Sequence, residues 1–217
     1  MKTAEKMKWA QEIVRRLRRE YPSSKVALVY SNPLELLVAT ILSAQATDAM
    51  INRITPALFR KYRAAADYAR ADPRVFEGEI RSSGFFRNKA KNIIGAARRI
   101  EEAYGGKVPG TMEELLTLPG VARKTANIVL YNAFGVTAGI AVAPHVRRLS
   151  QKLGLSGEDD PEKIERDLME LLPRGEWGPL NALLIDHGRR VCRAKNPDCA
   201  ACVLRDRCPS VRTQTDP

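Results

Sequence analysis

Cysteine is absent from the first 191 residues of this 217-residue chain, which rules out a disulfide framework running through the fold. No apolar run approaches membrane-spanning length, so no helical anchor is expected. The first segment, MKTAEKMKWAQEIV, is charged where a secretory leader would be greasy. The expectation is a soluble protein of the cytoplasm. Histidine is limited to His145 and His187, and both are read as hydrogen-bonded structural residues rather than metal ligands or bases. There is no low-complexity linker, internal repeat or acidic tail. Acidic residues are also in deficit: 25 Asp and Glu face 36 Lys and Arg, giving a formal charge of +11 and a pI near 9.7.

That excess favours a polyanionic partner, because each neutralised phosphate releases counterions. The basic residues gather in Lys6 to Arg19, around Arg87 to Arg99, at Arg147 and Arg148, and from Arg189 to Arg207. Nucleic acid is the leading partner. A membrane surface is the weaker option, since the moderately apolar helices read as core.

Helical signals dominate. Ala10, Ile13, Val14 and Leu17 make an i, i+3, i+4, i+7 stripe. Asn32-Pro33, Asp72-Pro73 and Asp160-Pro161 each combine an N-cap residue with proline at the first helical position. The first of these opens a helix over 34–43. Thr111-x-x-Glu114 has the form of a capping box. A helix over 90–104 stops at Gly105-Gly106. Val26 to Tyr30 and Ile140 to Ala143 are the only short stretches that could be strands. The expected class is all-α, with about ten helices, and Ser156 to Asp160 reads as a polar loop.

The four cysteines, Cys192, Cys199, Cys202 and Cys208, are spaced C-x6-C-x2-C-x5-C. Four thiolates on short loops suit a cubane iron–sulfur cluster, each iron taking one sulfur. Zinc is the main rival, although a four-cysteine zinc site usually pairs two C-x2-C knuckles and only one is present. Disulfides would need an oxidising compartment.

Leu118-Pro119-Gly120-Val121-Ala122-Arg123-Lys124-Thr125-Ala126 reads as a helix, a tight turn at Gly120, and a second helix from about Ala122 to Phe134. In such a helix-hairpin-helix, backbone N–H groups can grip a phosphate without reading sequence. A phosphate-binding P-loop is excluded, because Arg123 stands where that motif needs glycine. Lys124 lies in the first turn of the second helix, where the dipole and Arg123 disfavour its ammonium form. A lysine of lowered pKa is a candidate Schiff-base nucleophile. On these residues alone, a phosphate-contacting lysine is an equal alternative.

ILSAQATD (41–48), LPGVARKTANIVL (118–130), HVRR (145–148), HGRRVC (187–192) and the cysteine spacing together resemble the endonuclease III family of DNA glycosylase/AP lyases, over nearly the whole chain. The resemblance implies a two-domain helix-hairpin-helix glycosylase architecture. Residues 26–136 would form a six-helix barrel. Residues 1–25 and 137–217 would form a [4Fe–4S] cluster domain held by the four cysteines, and the active cleft would lie between them.

By the same resemblance, Lys124 matches the Schiff-base lysine. Gln45 matches the residue that fills the gap left by an extruded base, and Phe85 stands at the place of an apolar wedge. Gly120, Val121, Ala122, Arg123 and His145 fall among DNA-contacting positions. Arg193 and Lys195 lie in a cluster loop that faces phosphates. The implied partner is double-stranded DNA containing damaged bases or abasic sites, bound by a monomer. Adenine-specific relatives carry a further domain after the cluster and lack the lysine. Here nine residues follow Cys208 and Lys124 is present, so oxidised pyrimidines are the expected substrates.

One departure matters. The family pattern V-D-T-H-V reads Val142-Ala143-Pro144-His145-Val146 here, and Ala143 replaces the catalytic aspartate. Alanine can neither stabilise charge developing on the sugar nor assist proton movement. Impaired base removal is therefore expected, with a weakly active or inactive lesion-binding protein as the alternative. Asp186 and Asp48 are the nearest candidate substitutes, though capping or ion pairing explains each more simply.

Overall fold

The computed structural model describes residues 3–212, and among them there are helices and loops but no strand. The chain is all-α. Val26 to Tyr30 and Ile140 to Ala143 are instead irregular connections. Their backbone groups are met by side chains: Asn52 accepts from Val29 N–H and donates to Ala27 C=O, and Glu165 accepts from Ile140 N–H. Local β-propensity without a partner strand does not make a sheet.

Contacts divide the chain into two compact units, one from residues up to Val26 together with those from Gly139 onward, the other Ala27–Ala138. The second unit is built around helix α2 (Pro33–Leu42), in which every residue from Leu36 to Leu42 is buried. A helix apolar on all sides must be surrounded, and α2 packs against α3 (Asp48–Lys61), α6 (Phe86–Tyr104) and α8 (Arg123–Phe134). Two short helices, α4 (Ala65–Ala69) and α5 (Pro73–Glu79), close over α6 through an aromatic cluster of Tyr62, Tyr68 and Phe76. A single-turn helix α7 (Met112–Leu115) precedes the hairpin turn.

The other unit joins α1 (Thr3–Glu20) to α9 (Pro144–Lys152), α10 (Pro161–Leu171) and α11 (Trp177–Arg190). The α1 stripe of Ala10, Ile13, Val14 and Leu17 is buried in a core with Leu149, Leu168, Leu180 and Leu184. The last turn, α12 (Pro209–Arg212), follows the cysteine loops.

The start signals act as local chemistry requires. Asn32 accepts from Glu35 N–H, Asp72 from Arg74 and Val75, and Asp160 from Glu162 and Lys163. Thr111 accepts from Glu114 N–H, and its hydroxyl donates to the Glu114 carboxylate. Helix α6 starts at Phe86, a turn earlier than the sequence pattern indicated, because Phe85 takes the N-cap place in a left-handed conformation with no side-chain cap.

Candidate active site

The hairpin turn is shaped by close approach. Gly120 has φ +78°, and a Cβ there would stand 2.7 Å from the Asn92 Cβ on α6. Only glycine satisfies both constraints. The turn closes through Val121 N–H to Leu118 C=O, and α8 begins at Arg123 with Ala122 as an N-cap that offers no side-chain acceptor. The N-cap residue of α8 thus leaves the first N–H groups without a side-chain cap, an arrangement suited to a phosphate oxygen. Gly120 and Ala122 are exposed, Arg123 is half-buried and Val121 is buried.

Lys124, in the first turn of α8, is half-buried. Burial of its amine lowers its pKa below the ordinary lysine value of 10.5. Desolvation disfavours the ammonium, and no repulsion from Arg123 is needed to explain the shift.

Gln45 lies in the loop after α2 and is exposed, with φ +53°; Phe85 is 66% exposed, with φ +47°. Non-glycine residues with positive φ are uncommon and collect at functional sites. Asn196 is the third among the described residues. It sits in the loop that carries Arg193 and Lys195, and the Arg193 guanidinium donates to its carbonyl. Arg193 and Lys195 are both exposed.

Ala143 is the N-cap of α9, with extended backbone, no side-chain cap and Pro144 at the first helical position. It borders an open recess of about 390 Å³ lined also by Val142, Pro144, Arg147, Arg148, Gln151 and Pro161. No carboxylate is among those lining residues. Asp186 lies on α11 and Asp48 in the first turn of α3. His145, half-buried on α9, packs against Gly188 so closely that a Cβ there would stand 2.8 Å from its ring.

All four cysteines are free thiols lining one small cavity of about 30 Å³, with His187, Lys152, Val191, Pro197 and Asp198. The first ligand loop is fixed by Cys192 N–H to His187 C=O at 2.8 Å and by Arg148 Nη1 to Cys192 C=O at 2.6 Å. Leu204 N–H points at the Cys202 sulfur at 3.4 Å. His187 is buried between the Tyr21 hydroxyl, 3.0 Å from Nδ1, and Cys202 Sγ, 3.5 Å from Nε2. Burial, and then Arg148, push its pKa down to about 4, so the imidazole is neutral. Burial pushes the Cys192 thiol up and Cys202 up to about 11. These sulfurs become thiolates only against a strong positive charge such as a bound metal group. Among the described residues no three His, Cys, Asp or Glu converge on a single ion. The four thiols line one space, and an all-thiol donor set suits an iron–sulfur cluster.

Several basic residues that the charge pattern grouped with the nucleic-acid surface have bonding partners within the protein. Arg148 is bonded to the Cys192 carbonyl. Arg147 pairs with Asp159 at 2.7 Å, and Arg16 pairs with both Glu12 and Asp206. Lys89 is 4% exposed and donates to two backbone carbonyls. Composition counts charges without saying which way they point.

Residues 38–174 match the HhH-GPD superfamily base excision DNA repair protein family. The chain is 54% identical to the endonuclease III of Synechocystis sp. over 97% of its length and 96% of the relative's. It is 36% identical to that of Escherichia coli K12, over 91% and 93%. A solved non-covalent endonuclease III–DNA complex superimposes with a TM-score of 0.91 at 39% identity, covering 99% of this chain and 98% of that one. A trapped endonuclease III–DNA covalent intermediate gives 0.92 at 38%, with both chains fully covered.

Proposed function

Because the chain belongs to the HhH-GPD superfamily of base excision DNA repair proteins, and within it to the endonuclease III family, we propose that it is a bifunctional enzyme whose two chemical steps are unequally preserved. It is a DNA glycosylase of base excision repair with abasic-site lyase activity. Its partner is duplex DNA, as in the endonuclease III complexes it resembles. The observation that carries the reading is the Lys124 amine, desolvated and of lowered pKa, one residue after the start of a helix whose N-cap leaves the first N–H groups without a side-chain cap.

A stacked base hides its glycosidic bond, so the nucleotide must leave the helix at a cost of a few kcal/mol. Phe85 is the wedge that offsets this cost and Gln45 fills the space left behind; their exposure and left-handed backbones support both roles. Gly120, Val121, Ala122 and Arg123, with His145, Arg193 and Lys195, hold the phosphates. The neutral Lys124 amine attacks C1′ of the everted sugar. The bond to the base breaks, and the base departs with the bonding electrons and takes up a proton. The attached amine gives up a proton, and the C1′–O4′ bond opens with O4′ taking up a proton. The iminium so formed acidifies the C2′ proton, whose loss expels the 3′ phosphate by β-elimination before water releases the lysine.

The developing positive charge in the first step is what the family aspartate stabilises. Ala143 cannot, and the barrier to base removal should rise by about 3 kcal/mol. An abasic site already offers an aldehyde, so Schiff-base formation and elimination persist there. Oxidised pyrimidines are the substrate class the resemblance favours. The specific observation behind a second reading, a lesion binder with little turnover, is the same Ala143 beside a recess with no carboxylate among its lining residues.

Cys192, Cys199, Cys202 and Cys208 would hold a [4Fe–4S] cluster, which supplies a covalent brace for the loop of Arg193 and Lys195. Iron analysis of the brown protein should give about four irons per chain; a colourless protein with one zinc would remove the cluster.

Borohydride trapping separates the readings. Trapping on an abasic duplex but weakly on a thymine glycol duplex is the expected result, with Lys124→Ala abolishing both. Absence of any adduct despite tight lesion binding would establish the binder. Ala143→Asp should restore base removal by about a hundredfold; no change would show that position 143 is not that of the missing acid.

A further inference from the structure

Two loops carry the residues that, on the reading above, enter the duplex, and one buried cation joins them. The first loop leaves α2 at Leu42 and passes through Gln45 to Thr47, the N-cap of α3. The second leaves a 3-10 turn at Arg81–Ser83 and passes through Gly84 and Phe85 into α6. Lys89 lies one turn into α6, where its backbone N–H is bonded to Phe85 C=O at 3.1 Å. Its Nζ donates to Leu42 C=O at 2.7 Å and to Ser83 C=O at 2.7 Å.

Leu42 ends α2 and Ser83 ends the 3-10 turn, so both carbonyls belong to the set that a helix terminus leaves without an internal partner. One ammonium satisfies the two ends at once, with charge-assisted bonds stronger than neutral ones. Lysine is rarely this buried, and desolvation lowers its pKa. A group in that situation is costly unless its partners are held in place. Beyond each carbonyl, within three residues, lies a non-glycine residue with positive φ, Gln45 in one loop and Phe85 in the other. Such conformations persist only where the surroundings over-determine them.

We propose that Lys89 is a positioning residue that locks the Gln45 loop and the Phe85 loop in register, so that the polar filler and the apolar wedge enter the same base step together. It touches no DNA itself. The proposal rests on the roles given above to Gln45 and Phe85, while the coupling of the two loops is a property of the free protein.

The full chain carrying Lys89→Met, which keeps the length and removes the donors, is compared with wild type by hydrogen exchange. Amides in both loops (Ala46, Ser83 and Gly84) should lose protection together by about tenfold or more, with α8 unchanged. Unstacking of 2-aminopurine opposite a tetrahydrofuran abasic analogue should slow by about tenfold or more in duplex DNA. Borohydride trapping on a single-stranded abasic oligonucleotide, which needs no wedge, should stay within about twofold. Phe85→Ala should also slow unstacking, and adding Lys89→Met to it should cost less than the product of the two single effects.

Protection lost in one loop only, or equal losses on single-stranded and duplex substrates, would reduce Lys89 to a general core residue and overturn the proposal. A defective Phe85→Ala beside a wild-type-like Lys89→Met would sink the coupling alone. A fully active Phe85→Ala would remove the wedge assignment and this proposal with it. Lys89→Arg, a cation that cannot place one nitrogen between both carbonyls, is predicted to uncouple the loops likewise and serves if Lys89→Met does not fold.

Discussion

At position 124 the chemistry depends on how much of the amine is neutral. Raising the pH removes the proton, so the trapping rate on an abasic duplex should rise with pH. The midpoint should fall below lysine's ordinary 10.5, because burial lowers the pKa. A profile centred at 10.5 would show a solvated amine and return Lys124 to the role of a phosphate contact. Ala143 and Lys124 illustrate opposite degrees of legibility. Alanine at 143 is plain from the sequence, and the structure adds that α9 has no side-chain cap. An aspartate there would accept from the first-turn N–H groups, so Ala143→Asp should also stabilise by about 1 kcal/mol, readable in urea unfolding. From the sequence Lys124 is equally consistent with two roles, and its burial, which lowers its pKa, supports that of the nucleophile.

Among the elements, the hairpin is the clearest case of a local motif completed by a distant neighbour. The Leu118 to Ala126 wording marks a turn and a helix start, but not the α6 side chain against which the turn is pressed. Gly120→Ala should destabilise by about 1–3 kcal/mol, since it adds a Cβ at φ +78° and 2.7 Å from Asn92. The displaced turn should also bind duplex DNA more weakly in fluorescence anisotropy. Unchanged stability and affinity would show that the turn has room to adjust. The three proline-led helix starts were legible because capping is settled within four residues of chain. Phe85 as a left-handed N-cap was not, since nothing in its neighbours' identities demands positive φ.

For the molecule as a whole, the charge of +11 predicts strongly salt-dependent association with undamaged duplex. Neutralising about six phosphates would cost about a thousandfold in affinity between about 50 and 200 mM salt. A flat dependence would mean that the basic residues do not face DNA. Arg16, Arg147, Arg148 and Lys89 have internal partners. Which of the basic residues reach phosphate is counted directly by the slope.

What the amino-acid order determined by itself is whatever depends on spacing along the chain: helix starts set by capping residues, the hairpin turn, the cysteine series and the alanine at 143. These are decided over a few bonds. Only the tertiary structure decided which of the many lysines are desolvated, which arginines find partners within the protein, and that one ammonium bridges the ends of two loops just over forty residues apart. Burial and long-range hydrogen bonds arise from packing that no short window of sequence contains.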